Sequence, residues 1–273
     1  MPALPVSAGR IRKLLREIAA SGSGEHVLAV GGAPELAPLL RQQLRRGGAE
    51  TAAVRLGDPE GAAAYVHVLG DEARDEDVAM LRRAWHARVP AIAVAVGLAN
   101  DATIPYVLAT DVVWVGAGQA FPLEAITRAL AARVGERGAP LAARVPLLRD
   151  AVSEQLVAAF ARRNGIIAAA PWIRGADLPL LALNEFRLVL RLAQAHGAPG
   201  EVADRLPELA ATLGAGLGLR ALARELLGRS PRVDWALKAA IAYGGTRALG
   251  EAARVRFGLA PTRQPGGVAR VAP

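Results

Sequence analysis

From His26 onward, short runs that are apolar at nearly every position alternate with stretches whose apolar residues recur every three or four places. The runs are His26 to Gly31, Thr51 to Leu56, Ala64 to Leu69, Pro90 to Val96 and Asp111 to Val115; the periodic stretches are Pro34 to Arg46, Asp75 to Ala87 and Phe121 to Val134. A strand apolar on both sides has no face to give to water, so it belongs in a parallel sheet covered by helices above and below. The expectation is an α/β, Rossmann-like, mostly parallel sheet with helices on both faces. Such sheets take ligands beyond the carboxyl ends of their strands.

The first turn at that edge runs Gly31, Gly32, Ala33, Pro34, Glu35, Leu36, Ala37, Pro38. It stands where a phosphate-binding loop would stand, between a first strand and its helix. That loop needs a closing Gly-Lys-Ser/Thr for the phosphates and magnesium; here the places hold Leu36, Ala37 and Pro38, and Glu35 would repel phosphate. The dinucleotide pattern G-x-G-x-x-G is absent there as well. After the apolar strand ending at Val96, Asn100 and Asp101 offer groups that can read a base edge, although both are ordinary turn formers. Gly31, Gly32, Asn100 and Asp101 are therefore the candidate residues if a nucleotide binds. The cluster Asp71, Glu72, Asp75, Glu76 and Asp77 reads as carboxylates at the positive end of the helix that follows. No histidine lies near it in sequence to complete a metal site, and the residues show no Ser-His-Asp set.

The second half is helical. Leu147 to Arg163 is expected to be a helix that hands over at Asn164 and Gly165, and Pro179 to His196 another. On the latter, Asn184, Arg187, Arg191 and Gln194 form one polar stripe. Glu185 lies off it, beside Leu181, Leu188 and Leu192, and needs a cation; Arg220 or Arg224 is the expected partner, in an ion pair that fixes helix register. Ala236, Ala240, Gly244, Ala248 and Ala252 fall four apart on one helix, and Gly214 and Gly218 repeat the small-residue spacing upstream. Small residues let backbones approach closely, so the two helices are expected to pack on each other. Charges such as Asp177, Glu185, Arg187, Arg191 and Arg247 interrupt every apolar stretch, leaving none of the roughly 20 residues a membrane span needs.

Of 273 residues, 52% are hydrophobic and 4% aromatic, and there is no cysteine, which excludes disulfides and thiolate chemistry. The net charge of +8 favours acidic partners. Its excess lies at the ends, in Arg10, Arg12, Lys13, Arg16, Arg254, Arg256, Arg263 and Arg270, without interleaved aromatic residues, so nucleic acid is disfavoured. Val6 to Ala20 reads as an amphipathic helix docked on the protein's own body, with a membrane-surface anchor as the alternative. The expected organisation is an N-terminal helix and link (1–24), an α/β domain (25–140, with a boundary in the Gly- and Pro-rich 135–146), a helical domain (141–257) and a disordered tail (258–273).

Three segments carry a resemblance: Pro171 to Pro179 (Pro-Trp-Ile-Arg-Gly-Ala-Asp-Leu-Pro) with the helix to His196, Thr212 to Arg224, and Lys238 to Gly250 (Lys-Ala-Ala-Ile-Ala-Tyr-Gly-Gly-Thr-Arg-Ala-Leu-Gly). Together they resemble the bacterial domain of unknown function 697, the YcjF-like family often attached to Ras-like GTPase domains. The likeness spans roughly Ala168 to Phe257; Ile104 to Asp111 and Phe121-Pro122 are similar to the segment preceding that domain in some relatives. The resemblance implies an upstream GTPase-like sheet and a helical domain associated with the inner face of the membrane. It carries no catalytic residue, because the family has no settled activity. Asn-Lys-x-Asp is also missing where Gly97 to Asp101 stands.

The resulting expectation is a cytoplasmic pseudo-GTPase without cofactor, peripheral to the inner membrane or homo-oligomeric. In it Asp177, Glu185, Arg187, Arg191, Gly214, Gly218, Arg220, Arg224, Gly244 and Arg247 serve packing or partners. A divergent GTP- and magnesium-binding or GTP-hydrolysing protein is the alternative.

Overall fold

The computed structural model describes residues 8–169, 178–198 and 234–259. After helix α1 (Ala8–Gly22), the chain forms β1 (Leu28–Gly32), α2 (Leu36–Arg46), β2 (Val54–Leu56), β3 (Ala64–Leu69), α3 (Asp75–His86), β4 (Ala91–Val96), β5 (Val112–Val115) and α4 (Leu123–Val134). The helices α5 (Ala139–Arg144), α6 (Arg149–Ala169), α7 (Leu178–Ala195) and α8 (Asp234–Leu259) follow. The strands make one sheet in the order β2-β1-β3-β4-β5, every neighbouring pair parallel. The expected α/β architecture is thus present. The strand order reverses between β1 and β3, the position at which doubly wound sheets open a crevice.

Side chains alternate across the sheet, as a period of two requires. Leu28, Val30, Val66, Val68, Ile92 and Val94 face the side of α2 and α4, and their core continues through α5 and α6 to Leu188 and Leu192 of α7 and Ala253 of α8. Ala29, Tyr65, Leu69, Ala93 and Ala95 face the other side, where Leu81 and Ala84 of α3 and Ile104 cover them.

Several element ends differ from the sequence reading. Thr51–Ala53 and Ala109–Asp111 are short 3-10 turns that deliver the chain to β2 and β5. Ala139, Leu141, Ala142 and Val145, within the stretch 135–146 where a domain boundary was expected, are fully buried in the main core. Helix α6 does not stop at Asn164 and Gly165 but runs to Ala169. Gly165 lies inside the helix, where Ala239 and Tyr243 of α8 pass beside it. Helix α8 includes Gly258 and Leu259, where a disordered tail was expected to begin, and the tail from 260 lies outside the described residues.

Helix α1 docks on the protein itself: Leu14 and Ile18 pack with Phe186, Leu190 and Ala193 of α7. The small-residue stripe of α8 departs from expectation. Ala240, Gly244, Ala248 and Ala252 are exposed, and a Cβ at Gly244 would meet nothing within 4 Å. The close approach is instead made by Gly250, where a Cβ would lie 2.6 Å from Val157 of α6. Ala242, Thr246 and Ala253 share that buried side. The four-residue spacing identified small residues correctly but not which side of the helix faces inward. Gly214 and Gly218, the expected partners, lie outside the described residues. Among the described residues, no helix is long and apolar enough to cross a membrane.

Candidate functional site

Every strand is followed at once by glycine: Gly31 and Gly32 close β1, and Gly57, Gly70, Gly97 and Gly116 leave β2, β3, β4 and β5. The carboxyl edge is therefore a rim of bare backbone. This repeat was visible in the sequence as a glycine after each apolar run. Gly31 and Gly32 belong to this rim, and so does the loop holding Asn100 and Asp101, but β3 stands between their strands. Asn100 and Asp101 are exposed on the outer part of their loop.

The first turn of the rim is filled by the protein's own groups. Gly31 makes room for the Tyr65 hydroxyl, which a Cβ there would strike. Gly32, at φ +102°, makes room for the carbonyl of Val68, a conformation that glycine adopts without steric cost. The Ala33 amide donates to that same carbonyl at 2.8 Å, and the Leu36 and Ala37 amides donate to Ala33. Pro34 and Pro38 bring no N–H. A helix start that binds an anion offers free amides; here most of those amides already have acceptors.

Beneath the rim lies a contact the sequence reading missed. The Tyr65 hydroxyl donates to His67 Nδ1 at 2.7 Å, and His67 Nε2–H donates to Asp77 at 2.9 Å. Register explains it: β3 places Tyr65 and His67 on the α3 side of the sheet, and Asp77 sits in the first turn of α3. A separation of 10 residues hides the pair from any local motif. His67 is fully buried, and burial holds its pKa below the ordinary imidazole value although Asp77 opposes this. The Asp77 carboxylate, which can only accept, fixes the tautomer with the proton on Nε2, leaving Nδ1 to accept from Tyr65. Burial likewise holds the Tyr65 phenol above its ordinary value. Asp77 also accepts the Arg74 amide at 2.9 Å, capping α3. The neighbouring Asp75 and Glu76 occupy the same first turn, as the capping reading expected. Among the described residues, no cluster of histidines and carboxylates is arranged to hold a metal.

In the helical half, Glu185 is 2% exposed and accepts a hydrogen bond from Thr246 of α8 at 3.1 Å. Asn184 donates to Asn164 of α6 at 3.0 Å, and Asn164 donates to Thr246 at 2.8 Å. Two consecutive residues of α7 are thereby joined through α6 and α8 in a closed polar ring. The expected partners Arg220 and Arg224, and Asp177, lie outside the described residues. The rest of the polar stripe of α7 (Arg187, Arg191 and Gln194) faces α1 and the 135–138 turn. Arg187 pairs with Glu17 at 2.9 Å and with Glu136 at 3.6 Å. The buried Arg191 donates to Ser21 and Gln194, and burial lowers its pKa. These arginines are interior braces. Arg247 is different: it is exposed and, among the described residues, donates to the Tyr243 hydroxyl at 3.4 Å. Tyr243 and Trp235 of α8 and Ile166 of α6 are exposed large side chains.

Comparison with known proteins returns no matching family model, no matching curated protein and no matching solved structure.

Proposed function

We propose that the chain is a non-catalytic pseudo-GTPase, an interaction module in which a degenerate GTPase-like sheet carries a YcjF-like helical domain. It acts at the cytoplasmic face of the membrane or in a homo-oligomer. The observation that carries this reading is the state of the first turn. Gly31 and Gly32, the residues a phosphate loop would use, are accounted for by Tyr65 and the Val68 carbonyl, and the amides behind them have internal acceptors. Trp235, Tyr243 and Ile166 leave large side chains exposed on α8 and α6, which is compatible with docking on these helices.

The membrane part of the proposal is electrostatic. The apolar side of α1 is engaged with α7, while Arg10, Arg12, Lys13 and Arg16 point outward. Attraction of such cations to anionic lipid amounts to about 1 kcal/mol each and fades with salt. Flotation with anionic vesicles, repeated after a salt wash, together with light scattering for the oligomeric state, tests the proposal. Salt-reversible flotation or a defined oligomer is the expected result; a monomer that ignores vesicles and captures no partner refutes it. Tight, magnesium-dependent binding of GTP that is lost on replacing Asn100 and Asp101 would favour the divergent GTP-binding alternative instead.

A further inference from the structure

At the opposite, amino-terminal edge of the sheet, the ends of α3 and α4 leave a cleft of about 470 Å3. Its walls are Trp85, Val89, Pro90 and Val134, and its cations are Arg88, Arg133 and Arg137. Arg133 is partly spent on Asp111, 3.5 Å away. Arg88 and Arg137 are exposed and make no ion pair among the described residues. The cleft therefore holds three guanidinium groups against one carboxylate. Trp85 is 55% exposed at its mouth, an unusual position for so large an apolar ring.

The backbone at Arg88 adds a second observation. Arg88 has φ +56°, the left-handed conformation that closes α3. The carbonyls at that helix end are already satisfied by backbone amides: Ala87 donates to Arg83, Arg88 to Trp85 and Val89 to Ala84. A left-handed closing residue is ordinarily glycine or asparagine, and a larger side chain costs roughly 1–2 kcal/mol there. The helix end thus has no need of the guanidinium, which instead lines the cleft.

We infer that this cleft binds a phosphorylated small molecule bearing an unsaturated ring, with a nucleoside mono- or diphosphate as the fitting class. Guanidinium forks match phosphate oxygens two at a time, and the indole face of Trp85 stacks on a planar ring. The volume lies within the range of about 300–1,000 Å3 that holds small ligands. The site is independent of the first turn and of the interaction role proposed above.

The test is calorimetric titration of the full chain with AMP, ADP and pyrophosphate. ADP is expected to bind with Kd below about 1 mM, and pyrophosphate, lacking the ring, several-fold more weakly. The double variant Arg88→Ala/Arg137→Ala should weaken ADP at least about tenfold, a loss of about 1.4 kcal/mol. Trp85→Ala should bring ADP to the level of pyrophosphate, and Arg128→Ala, on the exposed side of α4, should leave both unchanged. Circular dichroism of each variant confirms folding. No binding of any probe at about 1 mM overturns the inference. So does binding that survives the double arginine variant, or binding lost in Asn100→Ala/Asp101→Ala, which would move the ligand to the other edge.

Discussion

His67 shows how one side chain can govern the response of this fold to acid. It is fully buried and neutral, held between a phenol and a carboxylate. Its folded pKa lies below the unfolded value of about 6.5, so below that pH the unfolded chain binds more protons than the folded one. Stability is then complete above about pH 6.5 and is lost as the pH falls toward the folded pKa. Burial lowers His26 and His196 in the same direction. The urea midpoint should therefore drop between pH 7.5 and 5.5, and His67→Gln should flatten part of that slope; an unchanged slope would mean that His67 titrates alike in the folded and unfolded chains. Gly32→Ala belongs to the same scale. It adds a Cβ against the Val68 carbonyl in a left-handed conformation, and should destabilise by about 2 kcal/mol or more, read from the same urea transitions.

Among the elements, α8 gives the sharpest test because its glycines sit on opposite sides. Gly244→Ala fills open space on an exposed helix interior and should stabilise by about 0.5–1 kcal/mol. Gly250→Ala presses a methyl on Val157 and should destabilise by about 1–3 kcal/mol; thermal melts of the pair decide it, and equal effects would contradict the packing described. The ring of Asn164, Asn184, Glu185 and Thr246 fixes how α6, α7 and α8 slide on one another. Asn164→Leu strands its partners, at a cost of about 1–3 kcal/mol. Much of this level was legible in the sequence. Apolar runs marked each strand, because a doubly covered sheet leaves no polar side, and Glu185 stood out as a carboxylate among leucines. What the sequence hid is long-range. The partner of His67, the inward side of α8 and the cleft around Trp85 depend on which elements become neighbours, and no local spacing encodes that.

For the molecule as a whole, charge and core matter most. The net charge of +8 is distributed so that the α1 cations point outward while Arg187 and Arg191 brace the interior. Vesicle binding should accordingly weaken as salt rises from about 50 to 300 mM, with flotation as the readout; salt-independent binding would point to an apolar contact instead. The core runs without interruption from β1 through α4, α5 and α6 to α7 and α8. One consequence concerns any attempt to halve the chain near residue 140. Each piece would carry a wall of leucine and valine with no lid, so neither should stay in solution when expressed alone. Two separately made pieces should find and complete each other when mixed, like a torn sheet whose edges still match.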